Sequence, residues 1–132
     1  MNKPSGWQVS YSDEAVHDLD CIYDYIANTL LEPITAENQT DRIMDAINSL
    51  DFMPLRHRLY DEEPWRSIGL RILPVDNYIV LYVPDELNKQ VTIINIVYGG
   101  RDIHTILKEF TADLFEDGRP PQITLQERET LD

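Results

Sequence analysis

The chain has 132 residues, 42% of them apolar, and a formal net charge of −13. It is one domain with enough apolar content for a core of its own, so no disulfide or metal staple is needed. Cys21 is the only cysteine, which excludes a disulfide framework and a cysteine-based zinc site. The acidic balance argues against loose electrostatic binding of nucleic acid, which needs clustered Lys and Arg.

Trp7-Gln-Val9-Ser-Tyr11 alternates apolar and polar residues and predicts a short strand. Ser12 is a good N-cap for the helix that follows, with Asp13 and Glu14 at the positive end of its dipole. Ala15, Leu19, Ile22, Tyr23, Ile26 and Leu30 then recur at spacings of three and four, the pattern of an amphipathic helix of about five turns. Glu14, Asp18, Asp20 and Asp24 read as its solvated face, and Cys21, beside Ile22, as a small core residue. Thr35 is placed to cap a second helix, whose apolar stripe is Ala36, Ile43, Ala46, Ile47 and Leu50 and whose stop is Pro54. Two helices joined by so short a link form an antiparallel hairpin. The stretch 55–64, LRHRLYDEEP, is expected to be a loop.

Three apolar runs come next: Leu70 to Leu73, Tyr78 to Val83 and Val91 to Tyr98. They are rich in residues that fit a pleated surface, and turn compositions of hairpin length separate them. They predict an antiparallel meander. Gly99-Gly100 breaks the last strand, and a short helix is expected from Arg101 or Asp102, with Ile103, Ile106, Leu107 and Phe110 on its apolar side. Residues 1–110 make the domain. Residues 111–132, with Asp117-Gly118 and Pro120-Pro121, read as an acidic C-terminal tail, either extended or docked through Leu114, Phe115, Ile123 and Leu125.

The fold class is therefore α+β, β-α-α-β-β-β-α, with the helical hairpin packed on one face of a four-stranded, mainly antiparallel sheet. The first strand can join the edge or the centre of the meander. In the middle run Tyr78, Val80 and Tyr82 point one way and Ile79, Leu81 and Val83 the other. Both sets are apolar, so both faces need cover. The hairpin covers one; the other is expected to be open or covered by the tail, beside Arg71 and Arg101. No signal peptide is expected ahead of Trp7, and no apolar run approaches the roughly 18 residues of a membrane span, so a cytoplasmic protein is expected.

The order of these elements and several local patterns resemble the RelE/ParE toxin superfamily of type II toxin–antitoxin systems, which includes plasmid stabilisation proteins. The patterns are Ser12-Asp-Glu-Ala15, Asp18-Leu19 and Ile22-Tyr-Asp-Tyr-Ile26-Ala27; Ile43, Ile47, Ser49-Leu50 and Met53-Pro54; Gly69-Leu-Arg71; Asn77-Tyr-Ile-Val-Leu-Tyr82; and Ile94-Asn-Ile-Val-Tyr-Gly-Gly-Arg-Asp102. The resemblance covers roughly residues 7 to 109. It implies the fold derived above and a cognate antitoxin whose C-terminal segment wraps the sheet face. It implies one of two targets: messenger RNA on the ribosome, cut without metal by RelE-like members, or DNA gyrase, inhibited by ParE-like members. A homodimer is the other association it leaves open. Arg71, Tyr98 and Arg101 match the shared pattern. Ile79 stands where RelE-like members commonly carry arginine, and Asn95 where they often carry a basic residue.

Metal-independent RNA cleavage needs a base for the 2′-hydroxyl, a cation for the pentavalent phosphate and an acid for the leaving oxygen. Arg58, Arg66 and Arg71, on the loop and first meander strand, are the candidate cations, and Tyr98 or His104 the proton-transfer group. Against this, Arg58 and Arg66 flank Asp61 to Glu63 and suit simple pairing with them, and Tyr78 and Tyr82 suit the core. No two histidines share a ligand spacing, so neither metal nor other cofactor is expected. Two functions follow: an RNA-cutting toxin, or a toxin-fold binding module without catalysis. They are told apart by whether Arg58, Arg66, Arg71 and Tyr98 converge on one place.

Overall fold

The structure, a computed structural model, describes residues 6–99 together with Ile103, Ile106 and Leu107. Strand β1 (Gln8–Tyr11) leads into helix α1 (Asp13–Asp24), a π-helical turn (Tyr25–Thr29) and helix α2 (Pro33–Asn48). Two short 3-10 turns (Ser49–Asp51 and Pro54–Arg56) and helix α3 (Trp65–Ile68) precede strands β2 (Arg71–Val75), β3 (Tyr78–Asp85) and β4 (Gln90–Tyr98). The sheet order is β1-β4-β3-β2. The meander is antiparallel, and β1 joins its edge parallel to β4, with Gln8 opposite Gln90 and Tyr11 opposite Ile93. The predicted α+β architecture is the observed one.

Ser12 caps α1 as expected, its Oγ accepting from the Ala15 N–H at 3.0 Å and its hydroxyl donating to the Ile94 carbonyl at 2.8 Å. The predicted five-turn helix is instead an α-helix that widens into a π-helical turn, which leaves Leu30 about half exposed. The second helix starts two residues before Thr35: Pro33 holds its first position, where a missing N–H costs nothing, and Glu32 is the N-cap.

The hairpin packs on one face of the sheet. Ala15, Ile43, Ile47 and Leu50 are fully buried against Val80, Tyr82, Val91 and Ile93. Each large aliphatic side chain removed from water in this layer contributes about 1.5–3 kcal/mol. A bulge between Leu81 and Tyr82 lets β4 slip one residue against β3. Val91 and Ile93 therefore face the hairpin, and so does Ile96, while Ile94 and Val97 face the other way.

The opposite face is not open. Trp65, Leu70, Ile72, Leu81, Val83, Ile94, Val97 and Leu107 form a second buried cluster there, edged by Tyr60, Ile68, Ile103 and Ile106. The stretch expected to be a plain loop thus carries a helix whose Trp65 does the covering. Ile103, Ile106 and Leu107 are helical, as the sequence predicts. Arg71 lies on the hairpin side, level with Tyr82, and not beside Ile79, Leu81 and Val83. Arg101, His104 and the tail at 111–132 lie outside the described residues. No helix among the described residues is long and apolar enough to cross a membrane.

Candidate functional site

Among the described candidates, Arg58 and Arg71 sit together, and Tyr98 and Arg66 sit elsewhere. Arg71 is half-buried on the outer strand β2 and spends its guanidinium on the chain itself: Nη1 donates to the carbonyls of His57 at 2.6 Å and Leu55 at 3.2 Å. Tyr82, its neighbour across the strands, donates from its hydroxyl to the Pro54 carbonyl at 2.6 Å. Burial pushes the Tyr82 phenol up to about 12, against the opposing pull of Arg71 and Arg56. Arg56 itself donates to the carbonyls of Phe52 and Met53. These three side chains clasp the 49–58 segment by its carbonyls, the groups a turn leaves unpaired. The His57 ring stands edge-on to Tyr82 at 6.2 Å. Burial first, then Arg56 and Arg71, hold its pKa below the ordinary 6.5.

Arg58 is exposed and reaches Asp61 at 3.7 Å, the pairing that its sequence neighbours suggest. Arg66 is exposed on α3, the element that covers the opposite sheet face. Tyr98 ends β4, opposite Tyr78, whereas Arg71 is opposite Tyr82. Four residues of strand put them about 13 Å apart along the sheet, and two strand spacings add about 10 Å across it. Arg58 and Arg71 are neighbours, through the Ile72 N–H that donates to the Arg58 carbonyl at 3.1 Å. The structure does not bring Tyr98 or Arg66 to them. Among the described residues no three His, Cys, Asp or Glu side chains are grouped to hold a metal ion.

What Tyr98 does belong to is a cleft of about 900 Å³ between the hairpin and the last half of β4. β1 stops opposite Ile93, and beyond that point β4 has no strand on its outer side among the described residues. Helix α1 takes its place. Asp18 Oδ2 accepts from the Ile96 N–H at 2.9 Å and the Asn95 Nδ2 at 3.0 Å, so it is not part of a solvated face. The cleft's apolar lining is Ile22, Ile26, Leu30 and Ile96 on the hairpin side, with Val97 and Ile106 of the opposite-face cluster reaching it past the strand edge. Tyr25, Tyr78 and Tyr98 stand in its walls, the last two edge-to-face at 5.7 Å. Burial raises the Tyr78 pKa, and the Tyr98 and Tyr25 phenols beside it raise it further.

The sequence reading missed this cleft. Asp18, Cys21, Ile22 and Tyr25 line it at ordinary helical spacing, but the π-helical turn that begins at Tyr25 has no signature in side-chain spacing. Cys21 is in the lining, exposed, with Sγ 3.4 Å from His17 Nε2, and is not a core residue. That pairing was legible, since four residues make one helical turn.

The sequence matches the family model described as ParE toxin of type II toxin–antitoxin system, parDE, over residues 9–103. No curated protein sequence matches it at a significant level. Among solved structures, it is similar to the chromosomal ParDE system from P. aeruginosa, with 21% identity and a TM-score of 0.59 over 71% of this chain and 97% of that one. The RelBE2 toxin–antitoxin complex from Mycobacterium tuberculosis shares 20% identity at a TM-score of 0.50, over 74% of this chain and 97% of that one. The archaeal RelE–RelB complex from Pyrococcus horikoshii OT3 shares 13% at 0.51, over 74% and 99%. These likenesses carry the fold, and the family match spans both the hairpin and the whole sheet: the chain belongs to the ParE toxin family of type II toxin–antitoxin systems.

Proposed function

We propose that this toxin arrests growth by binding its target, DNA gyrase, and not by cutting messenger RNA, and that the cleft between α1 and β4 seats its antitoxin. The observation that carries the first part is the dispersal of the would-be catalytic groups. Arg71 is committed to two backbone carbonyls, Tyr98 lies at the far end of the neighbouring strands, and Arg66 is on the element of the opposite face. Phosphoryl chemistry draws its rate from donors preorganised around one reacting phosphate, and groups more than 10 Å apart do not share one. Ile79 and Asn95, where RelE-like relatives carry basic side chains, support the same reading. The antitoxin seat is supported by the cleft's apolar lining and by the similar structures being toxin–antitoxin systems and complexes.

Induced expression of the full chain without an antitoxin is expected to stop bacterial growth. The purified protein should inhibit supercoiling by gyrase and leave messenger RNA intact on translating ribosomes. Cut messenger RNA, with cleavage falling about 100-fold in Tyr98→Phe, would replace the binding mechanism by the nuclease one. Unimpaired growth at high expression of folded protein would leave a binding module with no toxic action.

A further inference from the structure

The hairpin is one-sidedly acidic, and the arginines within residues 56–71 share their stretch with Asp61, Glu62 and Glu63. Residues 12–48, the hairpin, hold nine carboxylates and one basic side chain, Arg42. That arginine is already paired with Asp76 at 2.8 Å. Helix α1 has Asp13, Glu14, Asp18, Asp20 and Asp24 and no Lys or Arg. Arg56, Arg58, Arg66 and Arg71 all fall within sixteen residues of chain, in the clasped segment, α3 and the start of β2. The cleft opens on the acidic side. Asp18 is in its lining, and among the described residues no Lys, Arg or His is. Glu14 lies one turn before Asp18 on the same stripe of α1, Asp24 lies three residues past Cys21, and Glu32 follows Leu30 in the link to α2.

We infer that the segment seated in this cleft is basic and amphipathic: apolar side chains on the Ile22, Ile26 and Ile96 lining, and Lys or Arg side chains against the carboxylates of α1. The inference rests on reading the cleft as a partner seat, and adds the chemistry of the occupant. Apolar burial supplies affinity in such a groove, while rim charge selects the partner and speeds encounter. An acidic segment entering here would meet like charge on the helix beside it, with no cation among the described lining residues to answer it, which is how an interface rejects a wrong partner. The exposed aromatic walls suit the inference too, because Tyr25 and Tyr98 present ring faces that accept a guanidinium or ammonium group.

The full chain is panned against a displayed library of amphipathic segments of about 16 residues. All share one apolar stripe, and their flanking positions vary among Lys, Arg, Glu, Asp and Ser. Enriched sequences are synthesised with a fluorescent label and titrated by anisotropy at about 50 mM and about 300 mM salt. Expected are net-positive sequences whose affinity drops about tenfold at the higher salt and about tenfold again in Glu14→Lys with Asp24→Lys. Both side chains are exposed, and a melting curve of the double variant checks that it keeps the fold. Tyr25→Asp should abolish binding. Enrichment of acidic or neutral sequences, no enrichment at all, or binding indifferent to the two charge reversals would overturn the inference. Growth arrest is scored separately: a chain that stops growth yet selects acidic segments keeps its toxin role and loses only this one.

Discussion

His57 sits where two arginines and a buried phenol meet, and its ring cannot take a proton without placing a third cation there. The imidazole Nε2 is enclosed, with no hydrogen-bond partner among the described residues. Burial and the charges of Arg56 and Arg71 favour the neutral ring in the fold. As the pH falls the unfolded chain therefore protonates first. The stability this contributes is complete above about 6.5 and is lost as the pH drops through the lower folded value. The urea midpoint is expected to fall between about pH 7.5 and about pH 5.5, and to fall less in His57→Gln. An equal fall in both proteins would assign the acid sensitivity to other groups.

Gly69 shows how a single position can hold an element. It ends α3 in the left-handed region, at φ +98°, and its N–H donates to the carbonyls of Trp65 and Arg66. An added Cβ would meet nothing within 4 Å, so Gly69→Ala tests the backbone alone. It should cost about 1–2 kcal/mol in thermal or urea unfolding. No measurable loss would mean that the turn relaxes without strain. The helix it ends was not legible in the sequence, because four residues are too few for a periodicity and Asp61-Glu-Glu-Pro64 reads as a turn. The meander was legible, since its strands are long, β-branched and separated by turn residues. So was the pairing of Arg58 with Asp61, a matter of local spacing. The placement of Arg71, Tyr98 and Arg66 at separate points was not, because it depends on strand register, on the bulge at Tyr82 and on which sheet face Trp65 covers. The role of Asp18 was hidden for a related reason. A carboxylate on a helix reads as solvated unless one knows that a strand edge lies open beside it.

At the scale of the molecule, a net charge of −13 over 132 residues is a standing self-repulsion, strongest on the hairpin. Salt at about 0.3 M shortens the screening length to below about 10 Å and relieves it. The melting temperature should therefore rise between about 20 mM and about 300 mM sodium chloride. A fall would show that ion pairs such as Arg42–Asp76 and Arg58–Asp61 outweigh the repulsion, which the exposure of these two argues against.

The parallel pairing of β1 with β4 has a consequence in time. The first strand to be synthesised waits for the last, with Gln8 opposite Gln90. The acceptor of the Ser12 hydroxyl, the Ile94 carbonyl, and the donors to Asp18, on Asn95 and Ile96, likewise come late in the chain. Contacts this distant in sequence are slow to close. A nascent chain is therefore without its completed sheet, and without the cleft that β4 walls, until its last strand has left the ribosome. Termination between β3 and β4, at residues 86–89, yields a hairpin and a two-stranded ribbon with no strand between β1 and β3 to join them.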